Sequence, residues 1–164
     1  MTSPYPLSFS TESLRGKRFH FVGIGGCGMS GLARLLMNLG VEIQGTDVVE
    51  SHITDSLIKD GISVSFLQDG SMISSEINLL VHSAAIPPEH PEICRGDELG
   101  IPIVTYAQML GIVQSHHTGV CIAGTHGKST TVSMLGAILL QTGLDPSFIV
   151  GAHCDQIGGS SRVG

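Results

Sequence analysis

Two glycine-rich turns in this 164-residue sequence stand where a strand pattern changes into a helix pattern. The first, GIGGCG at residues 23–28, matches G-x-G-x-x-G, and the second, AGTHGKST at residues 123–130, contains G-K-S. At the start of a helix, unpaired N–H groups and the helix dipole both favour a bound phosphate. The spacing therefore predicts two separate phosphate-binding turns in one chain.

In the first turn each glycine has an expected role. Gly23 permits the tight turn, Gly25 lets the backbone approach a pyrophosphate, and Gly28 lets the helix pack closely on the strand. Asp47 ends the next expected strand, where a carboxylate accepts hydrogen bonds from ribose hydroxyls. The pattern indicates a diphosphate-linked nucleotide, and the alternative is a turn that serves packing only.

The second turn has the final part of a P-loop. Its N–H groups would surround phosphate oxygens, Lys128 would neutralise their charge, and the Ser129 hydroxyl would contact Mg²⁺. The full pattern needs glycine at position 122, where this chain has Ile122, so the loop is shorter. The alternative is an ordinary exposed lysine at a turn.

Two different phosphate turns predict two nucleotides in one enzyme. This combination is typical of ligases and kinases that act on nucleotide-linked substrates, and a route through an acyl phosphate fits it.

The elements that must position these turns alternate between short strands and helices. Strands are predicted for the segments FHFVGI, EIQGTD, ISVSF, NLLVHS and IPIVT. Helices are predicted for residues 29–40, 54–59, 91–99 and 107–114. This alternation predicts an α/β fold, a Rossmann-like parallel sheet with helices on both faces.

Three parts are expected along the chain: a flexible leader over residues 1–16, a nucleotide-binding domain over residues 17–114, and a second unit over residues 115–164. The second unit offers a buried strand, GVCIA, a long helix over residues 128–142, and one more strand in DPSFIVG. So little material cannot complete a parallel sheet, so we expect the incomplete start of a P-loop ATPase α/β domain. We expect it to self-associate through exposed apolar side chains, namely Val132, Leu135, Ile138 and Leu139.

Composition excludes several classes of protein. With 41% hydrophobic residues the chain is expected to fold, and 8 Lys and Arg against 14 Asp and Glu argue against a nucleic-acid partner. The four cysteines form no C-x-x-C pair, so neither a zinc site nor a disulfide framework is expected. We find no signal-peptide pattern and no apolar stretch long enough for a membrane span, and expect a cytoplasmic protein.

Some residues have both a functional and a structural interpretation. His126, between two glycines of the second turn, is interpreted as functional. His116 and His117 lack further ligands at metal spacing and are interpreted as solvated. Cys27 is either a reactive thiol or, as we favour, a small residue that fits a crowded turn.

Taken together, these segments resemble the Mur ligases. The residues that carry the resemblance are GIGGCGMSGLA (23–33), TD (46–47), SAAIP (83–87), HPE (90–92), YAQML (106–110) and AGTHGKSTT (123–131). The resemblance runs from about Phe19 to the last residue, and the pairing of the two glycine loops is specific. It implies a three-domain enzyme, with a UDP-sugar domain, an ATPase domain and a third domain that helps to hold ATP and the amino acid.

The resemblance also implies an activity and its site residues. The parent enzyme would join L-alanine to UDP-N-acetylmuramate with ATP and Mg²⁺ during peptidoglycan biosynthesis; the first loop favours this activity over murein-tripeptide recycling. The UDP-sugar would be bound by Gly23, Gly25, Gly26, Gly28, Met29, Asp47 and Ser83. ATP would be bound by Gly124, Thr125, His126, Gly127, Lys128, Ser129 and Thr130. Within that second set Lys128 and His126 would be catalytic, and Ser129 would contact the metal.

Two departures and two alternatives accompany the resemblance. Leu67 and Gln68 stand about where the family often has a Gly-His pair that contacts uridine, and the family's GKT is GKS here. Neither the family's acidic magnesium motif nor its third domain lies within these residues, so we expect the chain alone to bind the UDP-sugar without completing the reaction. The alternatives are an NAD-binding oxidoreductase, which leaves the second turn unexplained, and a non-catalytic UDP-sugar-binding module.

Overall fold

The computed structural model describes residues 11–154 and 159–164. The first unit contains α1 (Thr11–Leu14), β1 (Arg18–Val22), α2 (Cys27–Asn38), β2 (Glu42–Thr46), α3 (His52–Lys59), β3 (Ser63–Ser65), β4 (Leu79–His82), α4 (Pro91–Glu98), β5 (Ile103–Thr105) and α5 (Tyr106–Gln114). The second unit contains α6 (Lys128–Gln141), β6 (Phe148–Cys154) and β7 (Gly159–Arg162).

The five strands of the first unit form one parallel sheet in the order β3-β2-β1-β4-β5. The chain moves outward from β1 through β2 to β3, and then continues on the other side of β1 with β4 and β5. This reversal brings the carboxyl ends of β1 and β4 together, which is where open α/β sheets bind ligands. The predicted α/β class and parallel sheet are confirmed.

Apolar side chains cover both faces of the sheet. The larger core lies on one face and includes Phe19 and Phe21 of β1 with residues of α2, α3 and α5. The smaller core lies on the opposite face, where Val22 and Leu80 pack with Ile101, and Ile93 of α4 lies against them. Alternate residues of each strand reach opposite faces, which is why helices are required on both sides.

The described part of the expected leader is packed against the sheet unit. Leu14 of α1 is buried in the larger core, and the N–H of Gly16 donates to the carbonyl of Gly40 at 2.8 Å. Residues 11–16 therefore differ from the flexible segment expected over residues 1–16. Scattered apolar residues among polar residues and prolines produce no periodic pattern, so the burial of Leu14 is not visible in the sequence. Residues 1–10 lie outside the described residues.

In the second unit the predicted strand GVCIA is wrong. Residues 119–123 form no strand and are mostly exposed, and no strand of the described chain pairs with them. A strand without a neighbour leaves its backbone groups without partners, so apolar content alone does not produce one. The predicted helix and the strand in DPSFIVG are present as α6 and β6.

The second unit rests on the first through a hairpin. Strand β7, in a glycine- and serine-rich segment with no strand pattern, pairs antiparallel with β6, and Ile149 of β6 packs against the larger core. Helix α6 contacts β6 and leaves Met134 and Ile138 exposed. Among the helices of the described ranges, none combines the length and apolar character needed to cross a membrane.

Candidate functional site

The first glycine turn is held by the two residues that end β2 and follow it. The N–H groups of Gly23 and Ile24 donate to the carbonyl of Thr46 at 2.8 and 2.9 Å, and the N–H of Gly25 donates to Oδ2 of Asp47 at 2.8 Å. Gly23 has a φ of 80°, in the left-handed region that favours glycine. The N–H of Gly26 also donates, to the carbonyl of Gly23 at 3.4 Å, so four N–H groups of the turn are bonded within the protein and any phosphate must use those that follow.

The structure corrects the roles expected for Gly25 and Gly28. A Cβ atom on Gly25 would lie 2.9 Å from Oδ2 of Asp47, so the protein's own carboxylate, not an approaching pyrophosphate, requires glycine here. A Cβ atom on Gly28 would lie 2.9 Å from the ring and hydroxyl of Tyr106. The start of α2 therefore packs closely on the first residue of α5, where a strand contact had been expected.

Tyr106 is a residue of the site that the sequence did not indicate. Its phenol lies beside Gly28 at the start of α2, and burial raises the pKa of Tyr106. Only the family resemblance, and no local pattern, indicates the YAQML segment. Proximity to the first turn arises because β4 lies next to β1 and β5 lies next to β4, a relationship that no local pattern contains.

The two helices that follow the glycine turns differ from the others at their N-termini. Of the five described helices with eight or more residues, α3, α4 and α5 have side-chain caps, from Ser51, His90 and Thr105 respectively. Helices α2 and α6 begin after Gly26 and Gly127, and no side chain caps either of them. Their first-turn N–H groups are consequently the ones open to an external anion.

Ser83 and Met29 occupy different environments in the first site. Ser83 follows β4, its N–H donates to the carbonyl of Val22 at 3.2 Å, and its Cβ lies beside Gly23. It is therefore at the carboxyl ends of β1 and β4, beside the first glycine turn. The Met29 side chain is buried in the larger core, so only its backbone N–H can face a ligand.

In the second turn, Lys128 bends back over the loop. Its Nζ donates to the carbonyls of Gly124 and Thr125 at 2.5 and 3.2 Å. Gly127 has a φ of 77° and directs the chain into α6, where Ser129 is half-buried in the first turn. Lys128 and Ser129 thus lie in the first turn of α6, at its uncapped start.

A hydroxyl, not a cluster of acids, is what the second turn offers to a metal. The described ranges hold no group of three or more His, Cys, Asp or Glu side chains placed to bind a metal ion. Mg²⁺ that arrives with a nucleotide commonly keeps phosphate and water ligands and takes one or two from protein, so Ser129 fits that role. His117, in contrast, donates from Nδ1 to the carbonyl of Val113 at 3.0 Å.

The sequence also did not indicate a polar cluster beneath the carboxyl ends of β1 and β2. Both His20 and Glu92 are fully buried, and His20 Nε2 faces Glu92 Oε1 at 3.2 Å. The Thr46 hydroxyl donates to Glu92 Oε2 at 2.6 Å and accepts from Gln68 Nε2 at 3.1 Å. We call the set of side chains that these contacts join the Glu92 cluster, consisting of His20, Gln44, Thr46, Gln68, His90 and Glu92.

Comparison with known proteins gives a consistent family. A sequence model described as "Mur ligase family, catalytic domain" matches residues 18–118. The UDP-N-acetylmuramate–L-alanine ligase of Lachnospira eligens is 46% identical over 146 residues, covering 88% of this chain and 32% of the relative. The ligase of the same name from Clostridium kluyveri is 40% identical over 156 residues, covering 94% of this chain and 34% of the relative.

Solved structures agree with the sequence comparison. The UDP-N-acetylmuramate-alanine ligase of Thermotoga maritima superposes with a TM-score of 0.83 at 27% identity, covering 90% of this chain and 35% of that one. A UDP-N-acetylmuramate:L-alanyl-gamma-D-glutamyl-meso-diaminopimelate ligase from Neisseria meningitides superposes with a TM-score of 0.83 at 32% identity. The match covers 90% of this chain and 46% of that one. The chain spans about a third of the length of the curated relatives it matches.

Proposed function

This chain belongs to the Mur ligase family, and we propose that it carries the UDP-sugar turn and the ATP turn of an enzyme that joins L-alanine to UDP-N-acetylmuramate in peptidoglycan biosynthesis. The observation that supports this most directly is the pair of uncapped helix N-termini, each directly after a glycine turn. The relatives named above at 40% and 46% identity carry that activity in their names. We further propose a cytoplasmic location.

At the first turn, the diphosphate of the UDP-sugar would accept hydrogen bonds from the first N–H groups of α2. Cys27 and Gly28 begin that helix after Gly26, and no side chain caps its N-terminus. Asp47 keeps lone pairs beyond those that bind Gly25 and Val49, and these would accept from ribose hydroxyls. Ser83, beside Gly23, would complete the wall of the site on the β4 side.

At the second turn, Lys128 would exchange the loop carbonyls for phosphate oxygens of ATP, and His126 would face the γ-phosphate. Mg²⁺, when bound with ATP, supplies positive charge that offsets the phosphate oxygens, and Ser129 is the residue that would contact it. The chain's own contribution is to hold the nucleotide through Gly124, Thr125, Gly127 and Thr130 and to present the Lys128 ammonium.

The proposed reaction has two steps. A carboxylate oxygen of UDP-N-acetylmuramate attacks the γ-phosphorus, the bond to the β–γ bridging oxygen breaks, and ADP leaves with an acyl phosphate formed. The amine of L-alanine then attacks the acyl carbon, an amide bond forms, inorganic phosphate leaves, and the amine gives up a proton. We propose that these 164 residues bind the UDP-sugar but do not by themselves complete the reaction.

A comparison of ligands on the purified chain tests the proposal. Calorimetry with UDP-N-acetylmuramate, UDP, Mg²⁺-ATP and NAD⁺ should show binding of the uridine nucleotides and of Mg²⁺-ATP and none of NAD⁺. Tight NAD⁺ binding with no response to UDP-N-acetylmuramate would favour the oxidoreductase alternative. Binding of the UDP-sugar without any response to Mg²⁺-ATP would favour a non-catalytic UDP-sugar-binding module.

A further inference from the structure

A carboxylate buried away from the proposed ligands needs an explanation. Glu92 lies in the first turn of α4 and is fully buried on the sheet face that also carries Val22 and Leu80. A buried charge is costly unless donors surround it. The negative charge does lie favourably near the N-terminus of α4.

The inner half of the Glu92 cluster has defined hydrogen-bond directions. Gln44 Nε2 donates to the carbonyl of Met72 at 2.9 Å and lies 3.1 Å from Nδ1 of His20. Because an amide nitrogen only donates, Nδ1 of His20 accepts, and the imidazole hydrogen of the neutral ring is on Nε2. That nitrogen faces Oε1 of Glu92 out of line for a good hydrogen bond, and neither atom has another partner within the described chain.

The hydrogen bonds in the outer half of the Glu92 cluster, nearer the protein surface, also have defined donors and acceptors. The Thr46 hydroxyl gives its hydrogen to Glu92, so it can only accept from Gln68 Nε2. Gln68 Oε1 then accepts from Nε2 of His90 at 3.3 Å, and Nδ1 of His90 accepts the backbone N–H of Glu92 at 3.3 Å. The bonds form a closed ring through Thr46, Gln68, His90 and Glu92. Its direction is set twice by Glu92, because the carboxylate only accepts and the backbone N–H only donates.

Thr46 joins this ring to the first glycine turn. Its hydroxyl belongs to the ring, while its carbonyl accepts from both Gly23 and Ile24. Asp47, the next residue, accepts from Gly25. A shift of the Thr46 backbone, which the hydroxyl bond to Glu92 helps to hold in place, would therefore change the hydrogen bonds of the turn at the start of α2.

We propose that Glu92 is a positioning residue of the nucleotide site. It holds Thr46 in place through the hydroxyl, and through Thr46 it fixes both the geometry of the first glycine turn and the direction in which the Gln68 amide is presented. The inference rests on the proposed function, because it assigns Glu92 to the turn that would bind the UDP-sugar. Glu92 itself touches no ligand in this proposal.

The test uses Glu92→Gln, which keeps the shape but replaces one acceptor with a donor. The amide has one acceptor where the carboxylate has two, so it cannot serve both the His20 and the Thr46 donors, and the ring opens at Thr46 if the amide hydrogens face that hydroxyl. We expect affinity for UDP, measured by calorimetry, to fall by about tenfold. Ile101→Val is the matched control, since Ile101 packs on the same sheet face outside the cluster, and its affinity should equal that of the unmodified chain.

A spectroscopic signature separates positioning from general destabilisation. In NMR spectra of the unliganded chain, Glu92→Gln should shift the Gln68 side-chain amide and the Gly23 backbone amide, and Ile101→Val should shift neither. Unchanged resonances, or equal loss of affinity in the two variants, would overturn the proposal. This readout needs no ligand, so it still decides the matter if the unmodified chain fails to bind UDP and the proposed function itself fails.

A second pair of variants covers the case in which Glu92→Gln does not fold. Thr46→Val removes the hydroxyl at nearly constant volume, whereas Thr46→Ser keeps it. We expect the valine variant to lose affinity for UDP and to shift the Gln68 amide, and the serine variant to retain both. Equal behaviour of the two variants would contradict a role for the hydroxyl ring.

Discussion

Gly31 of α2 meets Ser161 of β7 so closely that a Cβ atom on Gly31 would lie 2.8 Å from the Ser161 Cβ. The same Cβ would lie 3.2 Å from Cγ2 of Ile149. Helix α2 begins at the first glycine turn, and the hairpin belongs to the unit that carries the second turn. The two proposed nucleotide sites are therefore joined through a contact that leaves room only for hydrogen.

Enlarging Gly31 should separate the hairpin from α2. We expect Gly31→Val to lower the free energy of unfolding by about 1–3 kcal/mol, because the added carbons overpack a closed contact. Hydrogen exchange should show lost protection at Ile149 and Ser161, with β1 and β4 still protected. Gly151→Ala is the control, because a Cβ there meets nothing within 4 Å. Equal protection in the two variants would show that the contact does not hold the hairpin.

Removing the Asp47 carboxylate should loosen the first turn. Asp47→Ala leaves the N–H of Gly25 without its acceptor, and we expect a loss of about 1–3 kcal/mol in unfolding free energy together with at least about tenfold weaker UDP binding. Asn78→Ala is a matched control, since Asn78 Oδ1 accepts the N–H of Arg18 at the opposite end of β1. Calorimetry should show the control binding UDP normally; weakening in both variants would contradict a specific role for Asp47.

Ionisation of Tyr106 should destabilise the fold at alkaline pH. Burial raises the pKa of Tyr106, so between the ordinary value of about 10 and the higher folded value only the unfolded chain gives up the proton. Stability from this group is therefore constant below pH about 9 and falls as pH rises through that interval. Denaturant unfolding at several pH values should show a shallower decline in Tyr106→Phe. Identical slopes in the two proteins would contradict the prediction.

Lys128 should matter for ATP and not for the UDP-sugar. We expect Lys128→Met to weaken Mg²⁺-ATP binding by about tenfold or more, because a cation beside phosphate oxygens is lost, and to leave UDP binding unchanged. Lys59→Met, at the end of α3, removes the same charge elsewhere and should bind both nucleotides normally. Similar losses in the two lysine variants would point to a general charge effect and not to the loop.

The sequence predicted those parts of the site in which neighbours in the chain are neighbours in space. Each glycine turn is formed by a few consecutive residues. The position of Asp47 is predicted because consecutive strands of a parallel sheet are commonly neighbours. The Tyr106–Gly28 packing and the Thr46–Glu92 bond instead depend on the strand order, with 46 residues separating Thr46 from Glu92. The segment GVCIA shows why a strand prediction can fail. Its residues have strand propensity, but within the described residues no neighbouring strand is present for it to pair with.

An uncapped helix can be stabilised from outside the chain. Helix α2 supplies Leu32 and Leu36 to the larger core, so an anion that satisfies its first N–H groups strengthens the packing of the whole sheet. Sugar-nucleotide supply and protein lifetime would then be linked. Protein molecules with bound ligand unfold locally less often than unliganded molecules, and proteases therefore cleave them less often.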